Sequence, residues 1–191
     1  MSNKQSGFTL IEIAIVLAII GLLLGGVLKG QEMMTNAKIK RTANDFNGIS
    51  AAVFSYLDRY GALPGDDPRA AARWGGTASS PTAGNGLIEG NFNSSTATDE
   101  SRLVWEHLRF AGLVSGSGNN LPNHAFGGRI GIEDTRNGVT GNVICMEDIS
   151  GKVAEILDTQ MDDGDNATGD FQGSDNKPYV QSKNYVVCSR I

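Results

Sequence analysis

A run of 21 residues, Phe8 to Leu28, carries a single charged side chain, Glu12. Coiled as a helix, such a run bridges a hydrocarbon core of roughly 30 Å. A chain with this stretch does not spread its apolar residues as a simple globule does. Forty per cent of the sequence is apolar and 19% is charged, and the uncharged residues crowd towards one end. The remainder of the chain, from about residue 30 onward, buries only a small core, and small cores are often helped by a crosslink. Its many Gly, Asn, Asp, Ser and Thr residues point to loops. With 191 residues in all, the chain reads as one modest domain with an appendage.

The formal net charge of −5 argues against nucleic acid as a partner for the bulk of the chain, since phosphate recognition draws on clustered cations. Cys145 and Cys188 are the two cysteines. A structural zinc site usually takes four Cys or His ligands, and His107 and His124 are not at ligand spacing. A disulfide suits an extracytoplasmic domain; the alternative is a pair of free buried thiols.

The N-terminus reverses the order of an ordinary secretory signal. The leader MSNKQSG is short and polar, the apolar run comes after it, and no small-residue cut site ends the run. An amphipathic helical pattern comes next, and a cut between the two would strip that pattern of its anchor. The apolar helix is therefore expected to stay in the mature protein. Glu12 costs on the order of 2–3 kcal/mol inside such a span. Either it lies near the span's end and snorkels to the headgroups, or a partner charge neutralises it. Cleavage after Gly7 would free an α-amine on Phe8, one helical turn before Glu12.

Gly7-Phe8-Thr9-Leu10-Ile11-Glu12, followed by IAIVLAIIG, resembles the class III signal of type IV pilins and type II secretion pseudopilins. The likeness is close over about the first 30 residues and loose over the next 30, and Gly21 falls where the family usually has glycine. It implies that a membrane-embedded prepilin peptidase cuts after Gly7 and methylates the new N-terminus on Phe8. It implies that Glu12 registers subunits during assembly. The implied partners are further copies in a helical filament, the prepilin peptidase and an inner-membrane assembly platform. The implied location is the bacterial inner membrane, single-pass with the N-terminus cytoplasmic, and then the periplasm or a surface pilus.

Two features depart from that pattern. Many pilins carry proline near the end of the apolar run, where this chain has Val27-Leu28-Lys29; Gly25, Gly26 and Gly30 are expected to loosen the helix instead, at about 1 kcal/mol each. Lys29, Lys38, Lys40 and Arg41 also outnumber Lys4 and the leader amine, which by the positive-inside rule alone places the C-terminus in the cytoplasm. The class III signal and the cysteine pair argue for the opposite orientation.

Ile39, Phe46, Ile49, Val53, Tyr56, Leu57 and Tyr60 form one helical stripe. The helix is expected from Phe8 to about Tyr60, where Gly61, Pro64, Gly65 and Pro68 stop it. The spans expected are a leader over 1–7, a transmembrane and assembly segment over 8–29, the amphipathic half over 30–61 and a head over 62–191. In the head, helices are expected near Asp67 to Trp74, Asp99 to Leu113 and Lys152 to Met161 after Ser150. Strands are expected at Arg129 to Glu133, Val139 to Met146 and Tyr185 to Cys188, with a hairpin turn at Arg136-Asn137-Gly138. The fold class is α+β: a long N-terminal helix packed on a small antiparallel sheet with short helices.

A crosslink between Cys145 and Cys188 would contribute roughly 4 kcal/mol by loop entropy, and the family resemblance supports it. The enclosed segment, from Asp158 to Asn176, is dense in carboxylates. Hard oxygen ligands at close spacing suit calcium, and pseudopilins carry a calcium-binding C-terminal loop. Asp162, Asp163, Asp165 and Asp170 are the candidate ligands, although no glutamate closes an EF-hand. The alternative is turn residues in a solvated loop. His107 and His124 lack a nucleophile partner, Gly127-Gly128 lacks a phosphate-loop pattern, and Asp66-Asp67 reads as a turn and cap. A structural role is expected, not an enzyme. A pilus subunit is the first reading, a type II secretion pseudopilin the second, and a membrane-anchored extracytoplasmic binding module that never polymerises the third.

Overall fold

A computed structural model describes residues 7–175 and 177–191, so most of the expected leader, with Lys4, and Asn176 of the acidic segment lie outside the described residues. The chain divides into two compact units, the first ending at Lys38 and the second spanning Ile39–Ile191. Helix α1, Leu10–Tyr60, contributes to both. It continues through Gly25, Gly26 and Gly30 without a break. Glycine keeps its backbone N–H, so it weakens the helical ladder without interrupting it as proline does. In the first unit no side chain from Leu10 to Lys38 is buried.

In the second unit α1 becomes one-sided. Ile39, Thr42, Phe46, Ile49, Ala52, Val53 and Tyr56 are buried, a stripe at the period of a helix packed along one face. Two expected members differ. Tyr60 is half-buried, and Leu57 is 37% exposed because it borders an open cavity of about 340 Å³, shared with Leu63, Pro68 and Gly84. The helix ends at Gly61, whose φ of 69° and N–H bond to the Leu57 carbonyl (2.8 Å) close the last turn.

The remaining elements are α2 (Ala70–Trp74), α3 (Glu100–Phe110), β1 (Ile130–Arg136), β2 (Val139–Ser150), α4 (Gly151–Met161), β3 (Phe171–Gly173) and β4 (Asn184–Arg190). The described strands form one antiparallel sheet in the order β1-β2-β4-β3. The α+β fold is the one expected. Asn137 (φ 55°) and Gly138 (φ 93°) make the tight turn joining β1 to β2, the backbone that hairpins favour. Strand β3 was not anticipated: it is three residues long and lies inside the acidic segment, too short for alternation to show.

The sheet is covered on both sides. Ile130, Ile132, Ile144, Met146, Tyr185 and Val187 join α1, α3 and α4 in the main core. The intervening Val143, Cys145 and Cys188 pack with Val139 under Phe92, as strand alternation requires. Gly131 lets this second cover close: a Cβ there would lie 2.1 Å from the Phe92 carbonyl oxygen. Glu133, buried, accepts the Phe92 N–H (3.0 Å) and an N–H of Arg136 (3.0 Å). Cys145 and Cys188 face each other across β2 and β4 and form the disulfide, with Cα atoms 4.1 Å apart.

Long loops between α2 and β1 are held by buried acids rather than by regular ladders. Asp66 accepts N–H groups of Gly84, Asn85 (3.1 Å) and Gly86 (2.7 Å). Asp67 accepts the Tyr56 hydroxyl (2.9 Å), the Arg69 N–H (2.9 Å) and the Arg73 guanidinium (2.8 Å). The pair therefore does more than the expected turn and cap; the N-cap of α2 is Arg69. His107 stacks on Tyr56 and accepts the Gly65 N–H on Nδ1 (2.9 Å). Burial pushes its pKa down from 6.5 to about 4. The unfolded chain takes up a proton at His107 as pH falls through 6.5, and the folded chain refuses it until about 4. Stability is thus lost as pH falls across that window, by on the order of 3 kcal/mol. Tryptophan-monitored thermal melts of the full chain in detergent should show a midpoint falling from pH 6.5 towards pH 4, and His107→Gln should flatten that slope.

Candidate functional site

Two regions gather the residues singled out from the sequence: the head of α1 and the segment after α4. Gly7, Phe8 and Thr9 precede the helix in non-helical backbone, and Phe8 is 85% exposed. Thr9 and Glu12 form a reciprocal capping box. The Thr9 N–H and hydroxyl both donate to Glu12 Oε2 (2.7 Å each), and the Glu12 N–H donates to Thr9 Oγ1 (3.3 Å). This satisfies donors that the first turn of any helix leaves open. Thr9 was given no role from the sequence, although Thr-x-x-Glu at a helix start is a legible signal. One Glu12 oxygen, Oε1, takes no part in that box, which leaves the carboxylate able to meet a further donor.

From Ile13 to Leu28 the helix presents Leu, Ile and Val side chains on all sides, each of them exposed. The 18-residue apolar window of α1 is 0% buried within the chain. By length and composition this segment suits a membrane span, and its packing surface is unspent.

The second region follows α4. The carboxylate oxygens of Asp158, Asp162 and Asp163 come within 4.8 Å of one another. Asp158 is fully buried; it accepts the Gly164 N–H (3.0 Å) and the Tyr179 hydroxyl (2.8 Å). Burial raises its pKa, and the hydrogen bonds from Tyr179 and Gly164 oppose that shift. Asp162 accepts the N–H groups of Asp170 (2.5 Å) and Phe171 (2.9 Å). Asp163 accepts the Asp165 N–H (2.9 Å) and the Thr168 hydroxyl (2.7 Å).

Asp165 and Asp170 stand apart from that group: Asp165 closes its own turn on the Ala167 N–H (3.1 Å) and Asp170 pairs with Arg190 (3.1 Å). Asp158, on α4 one turn before Asp162, is the third member of the group that comes together. Its helical spacing was a usable signal, but its burial was not. The three carboxylates are hard donors with lone pairs to spare after their hydrogen bonds, and such a set suits a hard divalent cation.

The histidines hold the fold together. His107 is bound to Gly65 as above, and His124 Nε2 lies 2.7 Å from the Glu147 carbonyl while its Nδ1 accepts the Phe126 N–H (3.2 Å). A family model, the prokaryotic N-terminal methylation motif, matches residues 2–28. No curated protein and no solved structure matches the chain. Removing the cap by Thr9→Val should raise hydrogen exchange at the amides of residues 12–14 by roughly fivefold in micelle-bound full chain, corresponding to about 1 kcal/mol for a lost cap.

Proposed function

From the premise that this chain carries a class III prepilin-type signal of the type IV pilin and pseudopilin family, we propose that it is a structural subunit of a type IV pilus-like filament. The family is a structural one, and its signal implies peptidase processing, membrane anchoring before assembly, and assembly into filaments. The observation that carries the finer reading is the head of α1. A methylation motif stands directly before an apolar helix face that nothing in its own chain buries.

In this reading the prepilin peptidase cuts between Gly7 and Phe8 and methylates Phe8. The chain first spans the inner membrane, with its head in the periplasm. An assembly platform then withdraws α1 from lipid and packs it among identical helices. Glu12 is the registration group. Burying a carboxylate among apolar helices is costly unless a positive partner meets it, and the freed α-amine of an incoming subunit supplies that partner. A misregistered subunit leaves Glu12 unpaired. The disulfide and the long segment between Ala62 and Asn123 favour a pilus subunit.

A second reading, a pseudopilin of type II secretion, is favoured by the cluster of Asp158, Asp162 and Asp163. These residues would hold a calcium ion that offsets their mutual repulsion and ties α4 to the loop before β3. Under it, calcium at about 100 times its dissociation constant stabilises the full chain by about 2.7 kcal/mol, and Asp163→Ala abolishes the gain in thermal midpoint; a midpoint indifferent to calcium removes this reading.

Mass spectrometry of the purified protein should find an N-terminus at methylated Phe8; any other mature N-terminus refutes the processing claim. Electron microscopy of sheared surface material should find filaments containing this chain. Glu12→Ala should abolish them while leaving the protein in the membrane fraction, and normal filaments from that variant would refute the registration role. Processed wild-type protein that yields no filaments in any fraction points instead to an anchored, non-polymerising module.

A further inference from the structure

On α1, Lys40 and Arg41 are exposed and make no ion pair among the described residues. Arg41 lies within electrostatic reach of Asp45 without pairing with it. The opposite charge gathers elsewhere. Between Lys152 and Lys177 the chain has seven Asp or Glu residues and no Lys or Arg. Arg190 neutralises Asp170 and Lys183 neutralises Asp175, and Asp158 is buried. Glu155, Asp162, Asp163 and Asp165 are exposed, and no described cation pairs with them.

The fold also sets where these two faces lie along α1. Asp162 is bonded to the Phe171 N–H, and the Phe171 ring meets Phe46 edge-on at 5.5 Å between centroids. Through Phe171 the acidic segment is thus tied to α1 at Phe46. Lys40 and Arg41 precede Phe46 by six and five residues, about 8–9 Å along a helix axis. An axial offset between two copies with parallel α1 helices brings the acidic segment of one towards Lys40 and Arg41 of the next.

We infer that the Lys40–Arg41 face of α1 docks the Glu155–Asp165 segment of a second copy of this chain. The inference rests on the filament reading for its parallel helices. The contact is heterologous, since each copy offers a basic face to one neighbour and an acidic face to another. Such contacts do not close on themselves in pairs, and they propagate as open helical assemblies. Opposed charges at an interface rim set register and reject wrong partners more than they add affinity. The head thereby reports the axial offset at which neighbouring helices should sit.

The test is a charge swap in the full chain. The double variants Lys40→Glu/Arg41→Glu and Glu155→Lys/Asp165→Lys should each reduce the yield of sheared filaments by about tenfold, and their combination should recover it to within about threefold of wild type. All of these changes leave Glu12 and the Asp158, Asp162 and Asp163 cluster intact. Tryptophan fluorescence and the Cys145–Cys188 disulfide check that each head is folded. Folded reversals that assemble normally, or a combination that fails to recover, overturn the docking while leaving the filament reading standing. If wild type forms no filaments, the filament reading fails and the docking is judged in membranes. There, carbodiimide should yield a covalent dimer joining Lys40 Nζ to Asp163 or Asp165, and dimers lacking that junction overturn it.

Discussion

An apolar helix with nothing in its own chain to bury against is the constraint on which the rest of this molecule depends. From Leu10 to Leu28, α1 is apolar on every side and wholly exposed within the chain. At roughly 25 cal/mol per Å² of apolar surface, water is an untenable surrounding for it. By length and composition the segment suits lipid, and neighbouring helices are proposed to cover it on assembly. Because α1 is unbroken to Tyr60, this exposed segment is covalently the same helix whose later face packs into the core of the head.

The head solves a different problem, a small core with long irregular connections. Buried acids serve as ties. Asp66 gathers three successive N–H groups from Gly84 to Gly86, Glu133 anchors the backbone at Phe92, and Asp67 joins α1 to the turn before α2 through Tyr56. Burying a carboxylate is costly, and each of these offsets that cost with hydrogen bonds to groups that would otherwise be left unpaired in a loop. For Asp67 the balance is visible. Burial pushes its pKa up, yet the bonds from Arg73, the Arg69 N–H and Tyr56 outweigh burial and leave it below the ordinary carboxylate range. The same bonds raise stability where regular ladders are absent.

The elements written in periodicity were legible from the sequence. The α1 stripe reads from Ile39 to Tyr56, the hairpin reads from Asn137-Gly138, and α3 and α4 read from their apolar spacing. Misplacements have local causes. Leu57 lies in phase with the stripe, but the loops that face it leave a cavity, so phase alone did not bury it. Strand β3 is three residues long among Asp and Gly, and only its pairing with Val187, Cys188 and Ser189 makes it a strand. The capping role of Thr9 was readable and concerns neighbours in sequence. The carboxylate grouping was readable only in part, because Asp158 joins Asp162 and Asp163 through the end of a helix while Asp170 turns away to Arg190.

Sequence alone determined the apolar segment and the methylation motif at its head, because each is a local pattern of residue types whose chemistry does not depend on distant contacts. The tertiary structure decided which acids are buried ties and which are exposed charge. It also decided that Cys145 meets Cys188 across two strands, and that Phe171, beside the acidic segment, meets Phe46 on α1. These are matters of long-range packing. A carboxylate in a loop looks the same in a sequence whether it ends against three backbone amides or against water, and only the folded chain separates the two.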